Sequence, residues 1–244
     1  MESKFKMPTE IVELPSKGLL YQEDSPLSKG EIEMKYMTAK EEDILTNNNY
    51  IANGTVIDKL LKALIITKDV DFNDLLIGDK NAIMVAARIL AYGKNYNITY
   101  GSNTIDIDLS TIENTVIDYT LLKDRKNEFE YQLPQTKNTV TFKLLTHKDE
   151  RDIENEMNGL KKLNKDSSTE STTRLKHTIT SVNGISETKD IREFVDKYLL
   201  ATDARALRKY MTSLTPDVDL RHYPEGVSEG VDLPIGIGFF WPDI

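Results

Sequence analysis

Residues 34–45 read MKYMTAKEEDIL and residues 142–153 read FKLLTHKDERDI. Laid over each other without a gap, they share Lys35/Lys143, Thr38/Thr146, Lys40/Lys148 and Glu42/Glu150, and they set Glu41 opposite Asp149. Each copy follows an alternating run, Ile32-Glu33-Met34-Lys35-Tyr36 in one and Val140-Thr141-Phe142-Lys143-Leu144 in the other. Period-two alternation marks a half-buried strand. A Thr with an acid three residues on has the spacing of a capping box, in which the acid reaches back to the cap. Glu41, Glu42 and Asp43, like Asp149, Glu150 and Asp152, then fall where the helix dipole favours negative charge. Each copy is expected to be a strand running into a capped helix.

The flanks match too. A short strand carrying Leu-Pro precedes each junction, Val12 to Gly18 in one half and Tyr131 to Lys137 in the other. Downstream, Lys68-Asp69-Val70 parallels Lys189-Asp190-Ile191, and Asp79-Lys80-Asn81-Ala82 parallels Asp203-Ala204-Arg205-Ala206. Both of the latter open apolar helices, with the Asp as expected N-cap. Each half then turns to hairpin sequence: Asn97–Tyr100 and Thr104–Leu109 around Gly101-Ser102-Asn103, and Val218–Leu220 and Val227–Ile237 around Pro224, Glu225 and Gly226. Gly, Asn and Pro supply the turn geometry. The expected fold is α+β, with two similar pseudo-repeats over residues 1–123 and 124–244, each a strand, a strand, a capped helix, further helices and a β-hairpin. The alternative to duplication is two αβ segments that converged on common capping chemistry.

The chain has 244 residues, enough for a substantial core. It has no Cys, which removes disulfides, thiolate metal sites and cysteine catalysis. The start, MESKFKMPTE, shows no apolar run of a secretory signal. Apolar runs are too short for a bilayer, and a net charge of −9 without a basic block argues against a generic nucleic-acid or anionic-membrane surface. Helical apolar stripes occur at Ile57, Leu60, Leu61, Leu64 and Ile65, at Ile83, Ala86, Ala87, Leu90 and Ala91, and at Ile191, Phe194, Val195, Tyr198 and Leu199. The polar stretch 164–173 is expected to be a mobile loop.

Motifs for chemistry are sparse. His147, His177 and His222 are not at metal-ligand spacing, and His147 reads as an exposed residue in a first helical turn. Asp69 to Asp74 begins like a calcium loop, but Asp74 stands where Gly is needed and Lys80 where Glu is needed. Asp106 and Asp108 share one face of a strand; paired carboxylates there suit a metal-dependent hydrolase, and a solvated strand face is the plainer account. Arg205, Arg208 and Lys209, with Arg192 and Lys197, form the densest basic cluster. Among so many acids, salt bridges are the expected use, with nucleic-acid contact as the alternative. The C-terminal stretch holds the only Trp and two of the seven Phe. Phe239, Phe240 and Trp241 read either as core or as a terminal anchor for a partner. Gly236 and Gly238 would then permit close backbone approach.

Lys35 to Thr46, Gly54 to Leu61 and Ile77 to Ala82 together resemble the T-even-type phage baseplate protein family, the hub subunit and hub assembly proteins of contractile-tailed phages. The resemblance extends to Leu144–Glu150, Arg205–Arg208 and the Phe-Phe-Trp-Pro end. It implies a viral tail assembly protein that is not an enzyme and takes no cofactor. It would contact baseplate hub or tape-measure proteins in the host cytoplasm during assembly, either staying in the particle or acting only while it is built. Some members carry paired cysteines in the turns matching these hairpins; this chain has none, so its hairpins rest on turn residues and packing. The resemblance supplies no catalytic residues. Phe239, Phe240, Trp241, Arg205 and Arg208 are the expected partner contacts.

Overall fold

The computed structural model describes residues 6–100, 103–122, 125–163, 169–223 and 230–241. The fold is α+β, with eight α-helices and small antiparallel sheets among the described residues. In the first repeat, β1 (Thr9–Glu13) pairs with β2 (Glu31–Lys35), followed by α1 (Ala39–Leu45), α2 (Asn48–Ala52), α3 (Val56–Leu64), α4 (Ile77–Tyr92) and the hairpin β3 (Asn95–Tyr100) and β4 (Asn103–Asp108). In the second, β5 (Phe129–Gln132) pairs with β6 (Thr139–Phe142), followed by α5 (His147–Leu163), α6 (Glu170–Thr178), β7 (Ile179–Val182), α7 (Thr188–Lys197), α8 (Ala201–Leu214) and the hairpin β8 (Arg221–His222) and β9 (Val231–Asp232).

The two junctions have the same chemistry. The Thr38 amide and hydroxyl donate to the Glu41 carboxylate at 3.0 and 2.7 Å, and Lys35 closes on Glu41 at 2.8 Å. The Thr146 amide and hydroxyl donate to Asp149 at 3.0 and 2.9 Å, and Lys143 closes on Asp149 at 2.7 Å. Beyond the junctions the order also repeats. The segment after α3 covers the free side of β2 through an Ile65–Met34 bridge, as β7 after α6 covers β6. The third pairing differs in structure: Lys68 to Val70 lie in a connection leading to a short 3-10 turn (Phe72–Asp74), whereas Lys189 to Ile191 belong to α7.

Asp79 and Asp203 are not N-caps. They occupy the third position of α4 and α8, whose cap positions are Leu76 and Leu200. Both are buried, and each grips the Leu-Pro turn of its own repeat. Asp79 accepts from the Ser16 amide (2.9 Å), the Ser16 hydroxyl (2.7 Å) and the Tyr21 hydroxyl (2.6 Å). Asp203 accepts from the amides of Gln135 (2.8 Å) and Thr136 (3.0 Å) and the Thr136 hydroxyl (2.7 Å). Within the turns, Lys17 donates to Leu14 O and Lys137 to Leu133 O, while Gly18 and Lys137 take matching left-handed φ values of 72° and 61°. A sequence reading of "Asp before an apolar helix" finds both residues; only the fold reveals that their partners lie 63 and 68 positions away.

One continuous core runs through both repeats, from Leu14, Ile32 and Leu60 to Phe142, Leu207 and Phe240. Three further expectations change. Glu170 to Thr173 are helical in α6 rather than a loop, with Thr173 fully buried, and residues 164–168 lie outside the described residues. The second hairpin is only two residues per strand, with its turn (224–229) outside the described residues, and Ile237–Phe240 form a 3-10 turn instead of a strand. Tyr198, expected on the apolar stripe of α7, follows the helix and is exposed.

Removing either buried carboxylate strands three donors inside the protein. Charge-assisted hydrogen bonds contribute roughly 1.5–3 kcal/mol each, so Asp79→Ala and Asp203→Ala are each expected to cost on the order of 3 kcal/mol in urea unfolding. A loss below about 1 kcal/mol for both would show that the grip is incidental.

Candidate functional site

The joint between the repeats opens into a groove of about 650 Å³. Backbone pairing builds it: Leu76 bridges Thr146, the His147 amide donates to Leu75 O at 2.7 Å, and the Ile77 amide donates to Leu145 O at 3.2 Å. Gly78 is what lets the joint close, because a side chain there would collide with the Pro216 carbonyl. Asn81 beside it donates to Asp217 at 3.0 Å.

The second junction delivers His147 into this groove. The ring is buried, contrary to its reading as an exposed helical residue. Its Nδ1 lies 2.9 Å from Lys80 Nζ and its Nε2 lies 2.9 Å from Asp58, while Phe72 meets it edge-on at 4.8 Å. An ammonium can only donate, so Nδ1 accepts from Lys80 and the Nε2 proton points at Asp58. The third side of the triangle, Lys80 to Asp58, is 3.6 Å. Burial pushes the Asp58 carboxyl up, but the hydrogen bond from His147, with the charges of Lys80 and Lys62, outweighs it and holds it below its usual value. Three elements of two repeats are thereby tied together, and both ring nitrogens are engaged within the protein.

Along α5 the groove lining continues through Arg151, Glu154 and Asn155, and Ile235 and Gly236 line it as well. Glu150, also part of this lining, is gripped by Arg174 through two bonds of 2.9 and 2.6 Å. Six residues on, Arg192 takes Glu156 at 2.7 and 2.6 Å, with His177 at 2.9 Å. The Arg192 bond, aided by His177, draws the Glu156 carboxyl down to about 2 against the cost of burial.

The other expected site residues are dispersed. Phe239 and Phe240 are fully buried. Phe239 meets Tyr96 of the first repeat's hairpin edge-on at 4.9 Å, so the end of the second repeat packs on the first. The expectation that these two rings stand accessible at the chain end is corrected; only Trp241 is exposed, at 39 %. Nothing lies within 4 Å of where a side chain on Gly236 or Gly238 would begin, so neither marks a close approach. Arg205 and Arg208 are exposed on α8, and Arg208 donates to the Ser171 hydroxyl at 3.2 Å. Arg192 and Lys197 form the expected intramolecular ion pairs. Asp108 caps a short turn at Ser110 and pairs with Lys94 at 2.7 Å. Asp106 sits opposite Asn97 in the β3–β4 register. No group of three or more His, Asp or Glu arranged to hold a metal occurs among the described residues. None of their helices is long and apolar enough to cross a membrane.

No protein-family model matches the chain, and no curated protein or solved structure matches it.

Two measurements follow from this geometry. Asp58→Ala leaves the His147 proton and Lys80 without their partner, and is expected to cost about 2 kcal/mol in urea unfolding; no change would mean the triangle does not bind the repeats. Glu156 has a folded pKa lowered from 4.5 to about 2, so its contribution is present above about pH 4.5 and lost as pH falls towards 2. The melting temperature should fall across that window, and less steeply in Glu156→Gln; an identical slope in both would contradict the assignment.

Proposed function

We propose that this protein acts through protein–protein contacts in building a contractile-phage tail baseplate, as a hub component or a hub and tape-measure assembly factor. The observation that carries this reading is the internal pairing of the groove's charged groups: the Asp58–His147–Lys80 triangle ties the two repeats into one body, and the Glu150–Arg174 pair is closed in the same way within the second repeat. Such a body presents shape and surface rather than a waiting reactive group. Its outside offers isolated apolar side chains, among them Ile11, Ile66, Ile185, Tyr198, Leu200 and Trp241, on a chain of net charge −9. The resemblance supports the same reading. Its stretches hold Lys35, Thr38 and Glu41 at one junction, Thr146 and Asp149 at the other, and Asp79 and Lys80 at the joint.

The test is mass spectrometry of purified particles beside infected-cell lysate, with co-purification of hub and tape-measure proteins. An incorporated subunit appears in both; an assembly factor appears in the lysate complexes alone. Absence from both would contradict the proposal. Trp241→Ala should weaken co-purification by about 2 kcal/mol, the scale of an interface anchor, at nearly unchanged stability. Phe240→Ala should instead cost about 3–5 kcal/mol of stability, as a filled core position does.

A further inference from the structure

β1 is an open edge. Among the described residues β2 is its only partner, in a two-stranded sheet, whereas the far side of β2 is closed by residues 65–67, with the Ile66 amide donating to Glu33 O at 2.8 Å and the Glu33 amide donating to Thr67 Oγ1 at 2.7 Å. The ladder fixes which groups of β1 are unmet. The Leu14 amide donates to Gly30 O and the Tyr36 amide to Pro8 O, and hydrogen-bonded pairs alternate along an antiparallel ladder. Glu10 and Val12 therefore turn their backbone groups towards β2, while Thr9, Ile11 and Glu13 turn theirs away. A row of this kind is a template for another strand.

The side chains of that edge select the occupant. Ile32 and Met34 are buried and Val12 packs against the core, so Ile11, Glu13, Glu31 and Glu33 share the outer face. Ile11 is 57 % exposed, and Ile66 beside the sheet is exposed as well. Glu13 stands directly opposite Glu31, and Ile11 opposite Glu33. These are the non-hydrogen-bonded pairs, in which side chains approach most closely, and like charges placed so are destabilising. No cation forms an ion pair with any of the three glutamates among the described residues.

The second repeat shows that the fold does not require this charge. The matching positions there pair Gln132 with Thr139 and Glu130 with Thr141, and Thr141 is hydrogen-bonded to Ser181 at 2.9 Å. Where one repeat has three carboxylates and an exposed Ile, the other has one carboxylate among neutral polar groups.

We propose that β1 is the docking edge for an extended segment of a partner protein in which apolar and basic residues alternate. The segment adds as a third strand on Thr9, Ile11 and Glu13. Its Lys or Arg side chains all fall on the outer face, where their aliphatic stems cover Ile11 and their charged ends neutralise Glu13 directly and Glu31 and Glu33 across one strand, about 10 Å away, while its apolar residues fall on the inner face beside Val12. This rests on the contact function proposed above and names the chemistry of one partner.

The experiment uses the full chain and two nine-residue probes, one alternating Lys and Val, the other Glu and Val. Binding is read by fluorescence anisotropy and by amide NMR shifts. The Lys-Val probe should bind, shift the amides of Thr9, Ile11 and Glu13, and weaken with added salt; the Glu-Val probe should not bind. The E13Q/E31Q/E33Q variant should lose binding at least tenfold while melting no lower than the parent, because a repulsive pair is gone. Ile11→Pro removes an outward-facing amide and the exposed Ile11 side chain without breaking a bond to β2, and should also abolish binding, whereas Glu130→Gln in the second repeat should change nothing. Equal binding of both probes, binding by neither, or shifts centred away from β1 would overturn the proposal. A Lys-Val probe seated on β1 in a protein absent from particles and hub complexes would retain the edge and refute the baseplate role; the reverse pattern would refute the edge alone.

Discussion

A carboxylate buried at the third position of a core helix, closed by the donors of a Leu-Pro turn, is the constraint on which both repeats depend. An ionised carboxylate cannot lie in an apolar core unless donors surround it, so its position decides where the turn must come. The turn in turn sets where the two strands begin their ladder, and the second strand delivers the chain to the capped helix. The two versions sit in different surroundings. Burial pushes Asp79 up, with Asp217 adding to it, against the pull of Tyr21 and Ser16. Burial also opposes the charge on Asp203, but the Gln135 and Thr136 donors outweigh it and leave that carboxyl below its ordinary value. In the first repeat an insertion after the turn supplies Tyr21 as an extra donor, which also accepts from the Leu76 amide at 3.0 Å. The grip on one helix therefore reaches the start of the joint with the other repeat.

That joint explains why the halves behave as one body. Leu75 to Ile77 pair with Leu145 to His147, Gly78 admits the Pro216 carbonyl, and Phe239 reaches Tyr96 across the boundary. The Asp58–His147–Lys80 triangle is the polar part of the same closure. The two ring nitrogens of His147 are both used within the protein, one on Lys80 and one on Asp58.

Sequence showed the local parts of this scheme and missed the distant ones. Glu41 and Asp149 were legible because each partner, Lys35 with Thr38 or Lys143 with Thr146, lies within six residues. Asp79 and Asp203 were visible as a repeated pair but read as caps, since an Asp near a helix start has that meaning whenever no remote turn claims it. Asp58, Lys80 and His147 left no spacing signal at all, being separated by 67 and 89 positions from the histidine. The aromatic end was ambiguous in kind: a Phe pair looks the same in sequence whether it anchors a partner or fills the core. The polarity of residues 170–173 concealed a helix, because three of its side chains, Thr173, Leu175 and Thr178, are all that it buries.

Amide hydrogen exchange at Ser16, Gln135 and Thr136 tests the central claim most directly. These amides sit in turns, where exchange is ordinarily fast, and the account gives each a buried carboxylate as acceptor. The predicted result is protection in both turns close to that of core amides in α4 and α8, lost together in a single opening that spans the two repeats. Rapid exchange of these three amides beside a protected core would contradict it.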